Sequence, residues 1–160
     1  MNVVLVEPEI PPNTGNIARL CAATRTSLHL IEPLGFELND RRLRRAGMDY
    51  WQQTEWRCWS DWPAFCRQQS SGARYWFVEE GGIRHYAEVR YEAEDFLVFG
   101  RETAGLPKGL LAIDPHYWVR IPMMNPASRS LNLSNCVAIV LFEAMRQQGF
   151  PGEIRPEPGK

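Results

Sequence analysis

The chain has 160 residues, 44% of them hydrophobic and 23% charged, which is the length of one domain and the balance of an ordinary globular protein. That composition excludes a disordered or collagen-like chain, and no apolar run approaches the ~18 residues that a membrane-spanning helix needs. The formal net charge of −1 does not announce a nucleic-acid binder, yet every one of the 18 basic residues except Lys108 and Lys160 is Arg, the side chain suited to bidentate recognition of anions.

Short apolar runs alternate with longer segments of helical character. Strands are predicted over residues 2–6, 27–31, 54–58, 74–78, 96–99 and 118–121, and helices over 14–24, 40–46, 60–69 and 131–148. Several strands lack polar alternation, the mark of a strand buried on both faces, so the predicted fold is α/β: an open, mostly parallel sheet flanked by helices. Residues 1–152 form the expected single domain, and residues 153–160, rich in Pro and Gly, a frayed tail. In such a sheet ligands sit outside the carboxyl ends of the strands, which directs attention to the loops 7–13, 79–85, 100–107 and 122–130.

The first loop leads into Asn13-Thr14-Gly15-Asn16-Ile17-Ala18-Arg19. Asn13 or Thr14 can cap the free amides of the helix. At 100° per residue Ile17, Leu20, Cys21 and Thr24 share one face, and Asn16, Arg19 and Ala23 the opposite one. An ordinary amphipathic helix with a solvated Arg fits the same spacing. Gly100-Arg101-Glu102-Thr103-Ala104-Gly105-Leu106-Pro107 follows an apolar strand, and its glycines permit close backbone approach while Glu102 can accept from loop amides. It matches neither the P-loop nor G-x-G-x-x-G. A Ser/Asn cluster, Ser130-Leu131-Asn132-Leu133-Ser134-Asn135, opens the last helix, whose free N–H groups suit an anion. From Cys136 to Met145 that helix is apolar nearly all round, so burial on two sides, and hence a homodimer through it, is expected. Arg41, Arg42, Arg44 and Arg45 precede an aromatic stretch with Trp51, Trp56, Trp59 and Trp62, a pattern suited to single-stranded RNA, though charge runs are also commonly plain solvated faces. The four cysteines Cys21, Cys58, Cys66 and Cys136 form no C-x-x-C pair and lack His at ligand spacing, so reduced thiols, no metal site and a cytoplasmic protein are expected.

Taken together and in this order, residues 13–19, 99–107, and 121–123 with 130–135 resemble the three signature motifs of the SPOUT methyltransferases. Leu43-Arg44-Arg45-Ala46-Gly47-Met48-Asp49-Tyr50 and Glu7-Pro8-Glu9-Ile10-Pro11-Pro12 narrow the resemblance to the single-domain family that methylates the ribose 2′-hydroxyl of the tRNA wobble nucleotide, C34 or U34, in leucine tRNAs. The resemblance spans residues 2 to about 152 and implies a C-terminal trefoil knot, with S-adenosylmethionine bent in the knotted loops. By matching position Val78, Gly100, Ile121, Ser130 and Leu131 would contact the cofactor, and Arg19, Asn16, Glu102 and Asn132 would serve catalysis. Glu102 would brace the motif-two loop or Arg19. Arg41, Arg42, Arg44 and Arg45 would face the anticodon stem-loop, and a homodimer would set one subunit's knot beside the other's N-terminal motif. Three residues at two places depart from the family pattern: Glu79-Glu80, where relatives carry Thr or Ser and Lys, and Phe142, where several carry Tyr. A 2′-O-methyltransferase of another RNA, a non-catalytic RNA-binding module of the same fold and a generic nucleotide-binding α/β domain are the competing readings.

Overall fold

A computed structural model describes residues 1–38, 50–110, 115–125, 127–128 and 130–154. The helix expected over 40–46, Arg41, Arg42, Arg44 and Arg45, and most of the tail expected over 153–160 lie outside the described residues.

Seven strands form one sheet in the order β3-β2-β1-β6-β4-β7-β5, and every pairing is parallel. They are β1 (Asn2–Val6), β2 (Ser27–Ile31), β3 (Trp56–Trp59), β4 (Tyr75–Val78), β5 (Arg84–His85), β6 (Phe96–Phe99) and β7 (Trp118–Arg120). The helices are α1 (Pro11–Thr24), α2 (Trp62–Arg67) and α3 (Leu133–Gln147). β1 and β6 show why the sheet is covered on both faces. Val3, Leu5, Leu97 and Phe99 point into a core shared with α1 and α3, whereas Val4, Val6, Phe96 and Val98 point into a second core around Phe65 of α2. Side chains alternate across a strand, so two adjacent buried residues require two apolar layers.

The three strands matching the predicted bounds exactly in type and extent are β1, β2 and β6, all wholly apolar or nearly so. The other bounds shift. β3 begins at Trp56 and not at residue 54, because the Thr54 hydroxyl is engaged in a turn, donating to the Tyr50 and Ala18 carbonyls. α2 is shorter than expected, starting at Trp62, where Asp61 caps it by accepting from the Ala64 amide at 2.6 Å. α1 starts at Pro11, three residues early, because two prolines supply the φ that a first helical turn needs and lack N–H groups that would go unpaired there. Asn13 and Thr14 therefore lie inside the helix, and no side chain caps it.

β5 was expected as loop. It runs parallel to β7 on the far side from β4, with Val78 and Arg84 both paired to Val119. Residues 79–83 thus cross the β7 backbone at the level of Val119. The crossing is tight: a Cβ on Gly82 would lie 2.4 Å from the Val119 carbonyl carbon, so only glycine fits.

The sheet order places β6 between β1 and β4. The loops that leave β1, β6, β4 and β7 consequently converge at one edge, the carboxyl end, where an open α/β sheet forms its crevice.

Candidate functional site

The loop after β1 enters α1 with its amides unpaired by any local cap. Glu102, from the loop after β6, takes them: its carboxylate accepts from the Glu9 N–H at 2.8 Å, the Ile10 N–H at 3.2 Å and the Asn13 side-chain amide at 3.0 Å. An anion at these groups also faces the positive end of the helix. The brace is reciprocal, since the Glu9 carboxylate accepts from the Thr103 backbone N–H at 3.0 Å and from its hydroxyl at 2.7 Å. Glu102, expected to brace its own loop or Arg19, ties that loop to the entry of α1.

Asn13 carries the link onward. Its Oδ1 accepts from the Asn132 side-chain amide at 2.8 Å, and the Asn132 Oδ1 accepts from the Ser134 N–H at 2.9 Å, capping α3. Each amide uses its NH₂ and its oxygen for different partners, so both orientations are set by the network. One hydrogen-bonded chain, Glu102–Asn13–Asn132–Ser134, therefore joins the three loops.

The loop after β6 folds back on itself. Arg101 and Gly105 exchange two backbone hydrogen bonds at 3.0 Å, and Gly105 has a φ of 64°. A Cβ on Gly100 would lie 2.2 Å from the Gly105 carbonyl carbon. Glu79 supports this loop from β4: its carboxylate accepts from the Leu106 N–H at 3.0 Å and the Glu80 N–H at 3.2 Å. Of the two acidic departures, Glu79 is thus part of the wall, and only Glu80 presents an exposed carboxylate.

These loops border an open cavity of about 980 Å³. Val78, Gly100, Ile121, Ser130 and Leu131 all line it, as do Glu102 and Asn132. Its walls mix apolar side chains such as Val78, Ile121 and Leu131 with charged and polar ones such as Glu80, Arg101, Ser130 and Asn132, a lining able to take a ligand with both an apolar ring and polar edges. Arg19 and Asn16 do not line it. Both are exposed on the outer face of α1, and the Arg19 guanidinium carbon lies 5.2 Å from the centroid of the Tyr50 ring. Cys136 also lines the cavity, and burial pushes its thiol above the ordinary range, so it stays protonated and is a poor nucleophile. Among the described residues no group of His, Cys, Asp or Glu is placed to hold a metal ion.

Sequence reasoning overlooked Glu9, Thr103 and the bracing role of Glu79. Their signal is weak: each is a polar residue in a loop whose partner lies far along the chain, 94 residues for Glu9 and Thr103.

The SpoU rRNA Methylase family model matches residues 1–142. A tRNA (cytidine(34)-2′-O)-methyltransferase of Saccharophagus degradans is 52% identical over 152 residues, covering 94% of this chain and 97% of its own. A solved structure described as giving insight into the 2-OH methylation of C/U34 on tRNA is 42% identical, covers 92% of this chain and 95% of its own, and superposes with a TM-score of 0.88. An rRNA methyltransferase of Sinorhizobium meliloti with AdoMet bound is 28% identical over 91% of this chain and 55% of its own, with a TM-score of 0.80.

Proposed function

The chain belongs to the SpoU rRNA methylase family and is a methyltransferase, and from that premise we propose that it transfers a methyl group from S-adenosylmethionine to the ribose 2′-hydroxyl of the wobble nucleotide, C34 or U34, of leucine tRNAs in the cytoplasm. The observation that carries the reading is the cavity walled by three separate loops and held by the Glu102–Asn13–Asn132 chain. The 52% identity to a tRNA (cytidine(34)-2′-O)-methyltransferase over almost the whole of both chains supports the substrate.

The residues present fit the cofactor. A volume of about 980 Å³ has room for it; the apolar Val78, Ile121 and Leu131 suit an adenine ring; the backbone at Gly100, Ser130 and Leu131 can bond its polar edges; and the Glu80 carboxylate complements a cation. S-adenosylmethionine supplies an electrophilic methyl group on a sulfonium. The chain's own task is alignment and stabilisation of charge that develops on the attacking oxygen.

Arg19 serves that second role. A guanidinium has a pKa above ~12 and does not act as a base near neutrality. It binds the phosphate beside the reacting ribose and stabilises the developing alkoxide, and the proton leaves to water. Asn16, one turn earlier on the same exposed face, orients the ribose. Because Arg19 and Asn16 lie outside the cavity of their own chain, they act on the cavity of a second copy in a homodimer packed through α3. The half-buried Ile139 and the exposed Phe142 on the outer face of α3 support that packing. The crossing of residues 79–83 over β7 supports the trefoil knot. Arg41, Arg42, Arg44 and Arg45 would contact the anticodon stem-loop, local charge taking the place of a net positive one.

Mapping of ribose methylation in total RNA from a deletion strain tests the substrate. Loss of the mark at nucleotide 34 of leucine tRNAs is the expected result; an intact mark there, or a loss in ribosomal RNA instead, would overturn it.

A further inference from the structure

We infer that Tyr50 is a positioning residue for Arg19, holding the guanidinium through its ring so that every N–H of that group stays available to the RNA. The inference rests on the role given to Arg19 above.

Arg19 is exposed on α1, and an exposed Arg side chain samples many rotamers unless something holds it. Among the described residues no carboxylate lies within ion-pair distance of it. Its guanidinium carbon sits 5.2 Å over the Tyr50 ring. The two ways of holding a guanidinium differ chemically. A carboxylate partner occupies one or two of the five N–H donors and neutralises the charge. An aromatic face attracts the cation electrostatically and occupies none of them. For a group whose work is to grip a phosphate and a developing alkoxide, only the second leaves the donors free.

The backbone that carries the ring is itself anchored, and anchored to the same helix. The Thr54 hydroxyl, buried with its residue only 7% exposed, lies 2.7 Å from the Tyr50 carbonyl oxygen and 3.0 Å from that of Ala18, the neighbour of Arg19. The Gln53 N–H also donates to the Tyr50 carbonyl, at 2.9 Å. On the other side Trp51, 8% exposed, packs edge-on against Trp56 of β3 with ring centroids 4.6 Å apart. The turn over residues 50–54 is thus pinned between the backbone of α1 and the sheet. It ties ring and guanidinium into one frame, and the entropy of ordering Arg19 is lost on folding and not when RNA arrives.

The test compares Tyr50→Leu, Tyr50→Phe, Arg19→Ala and the Arg19→Ala/Tyr50→Leu double variant in the full-length protein. Single-turnover methyl transfer to tRNA is measured alongside S-adenosylmethionine affinity by calorimetry and the thermal midpoint. Tyr50→Leu should slow methyl transfer by about three- to tenfold, the range a cation–π contact supplies, with cofactor affinity and midpoint unchanged. Tyr50→Phe, which keeps the ring, should recover most of the rate. In the Arg19→Ala background Tyr50→Leu should slow nothing further. A full rate in Tyr50→Leu, or equal losses in Tyr50→Phe and Tyr50→Leu, overturns the inference while leaving Arg19 in place. If Arg19→Ala itself retains full turnover, the role of Arg19 falls first and the role of Tyr50 with it.

Discussion

The side-chain amide of Asn132 donates to Oδ1 of Asn13 at 2.8 Å, joining two residues 119 positions apart at the point where the first and last loops of the cavity meet. Asn13 is 5% exposed and also donates to Glu102. Removing it leaves the half-buried Glu102 carboxylate short of one donor and the Asn132 amide without its acceptor. Asn13→Ala should cost about 1 kcal/mol of stability, the net worth of hydrogen bonds whose partners are only partly shielded from water. Asn13→Asp should cost more, because it sets a second carboxylate against Glu102. Urea midpoints for the two variants check this; losses below about 0.5 kcal/mol in both would show that the linkage holds nothing together.

Gly100→Ala tests the cavity wall. The new methyl would lie 2.2 Å from the Gly105 carbonyl carbon and 2.3 Å from the Leu106 nitrogen, backbone atoms that cannot rotate away. The loop must open, and S-adenosylmethionine affinity should fall at least about tenfold, in line with the ~1–3 kcal/mol cost of overpacking. Gly109→Ala is the control, since nothing lies within 4 Å of its Cβ position. Calorimetry distinguishes the two, and equal affinities would show that the loop yields freely.

His29 makes stability depend on pH. Burial first, and then the Arg57 charge, lower its pKa from 6.5 to about 4, and its Nδ1 accepts from the Trp59 indole N–H at 3.2 Å, which fixes the neutral tautomer. The folded state therefore binds the proton less readily than the unfolded chain. Stability is fully present above pH 6.5 and is lost as the pH falls toward about 4, by up to about 3 kcal/mol for this group. His29→Gln can still accept from Trp59 but does not titrate, so its urea midpoint should change less over that interval. Identical slopes for the two proteins would remove His29 as the cause.

Phe142 addresses assembly. It is 48% exposed on the outer face of α3, and its ring lies 6.4 Å from that of Phe150, itself 37% exposed, tilted at 52° to it. Light scattering should give twice the 18.4 kDa chain mass. Phe142→Glu should shift it toward one chain mass and lower turnover together, because Arg19 would lose the second copy's cavity. A dimer of full strength in the variant places the interface elsewhere.

Particular elements show what the sequence made legible. β1, β2 and β6 match the expected bounds because runs such as Val3-Val4-Leu5-Val6 satisfy local propensity and two-sided burial at once. On α1 Ile17 and Cys21 are buried, Leu20 and Thr24 half-buried, and Asn16, Arg19 and Ala23 exposed, in line with the 100° spacing, while Ala18, which that spacing did not assign to the buried face, is buried too. β5 was not legible: two residues are too few to carry a period, and Arg84-His85 is a strand only because β7 lies beside it. The early start of α1 was misread for a related reason. Asn13 looked like a cap, but its side chain is drawn outward by Glu102 and Asn132.

By itself, then, the sequence determined the layers of this protein and the family motifs within them, and it located the preference for Arg at Arg19 and in the run from Arg41 to Arg45. Burial is a property of local pattern, repeated over many residues, and it survives small errors of position. Only the tertiary structure decided which polar groups meet: Glu102 on the entry to α1, Glu79 behind the loop at Leu106, Tyr50 under Arg19. Hydrogen bonds and cation–π contacts are directional and end within a few tenths of an ångström, and here they join residues brought together solely by the order of strands in the sheet.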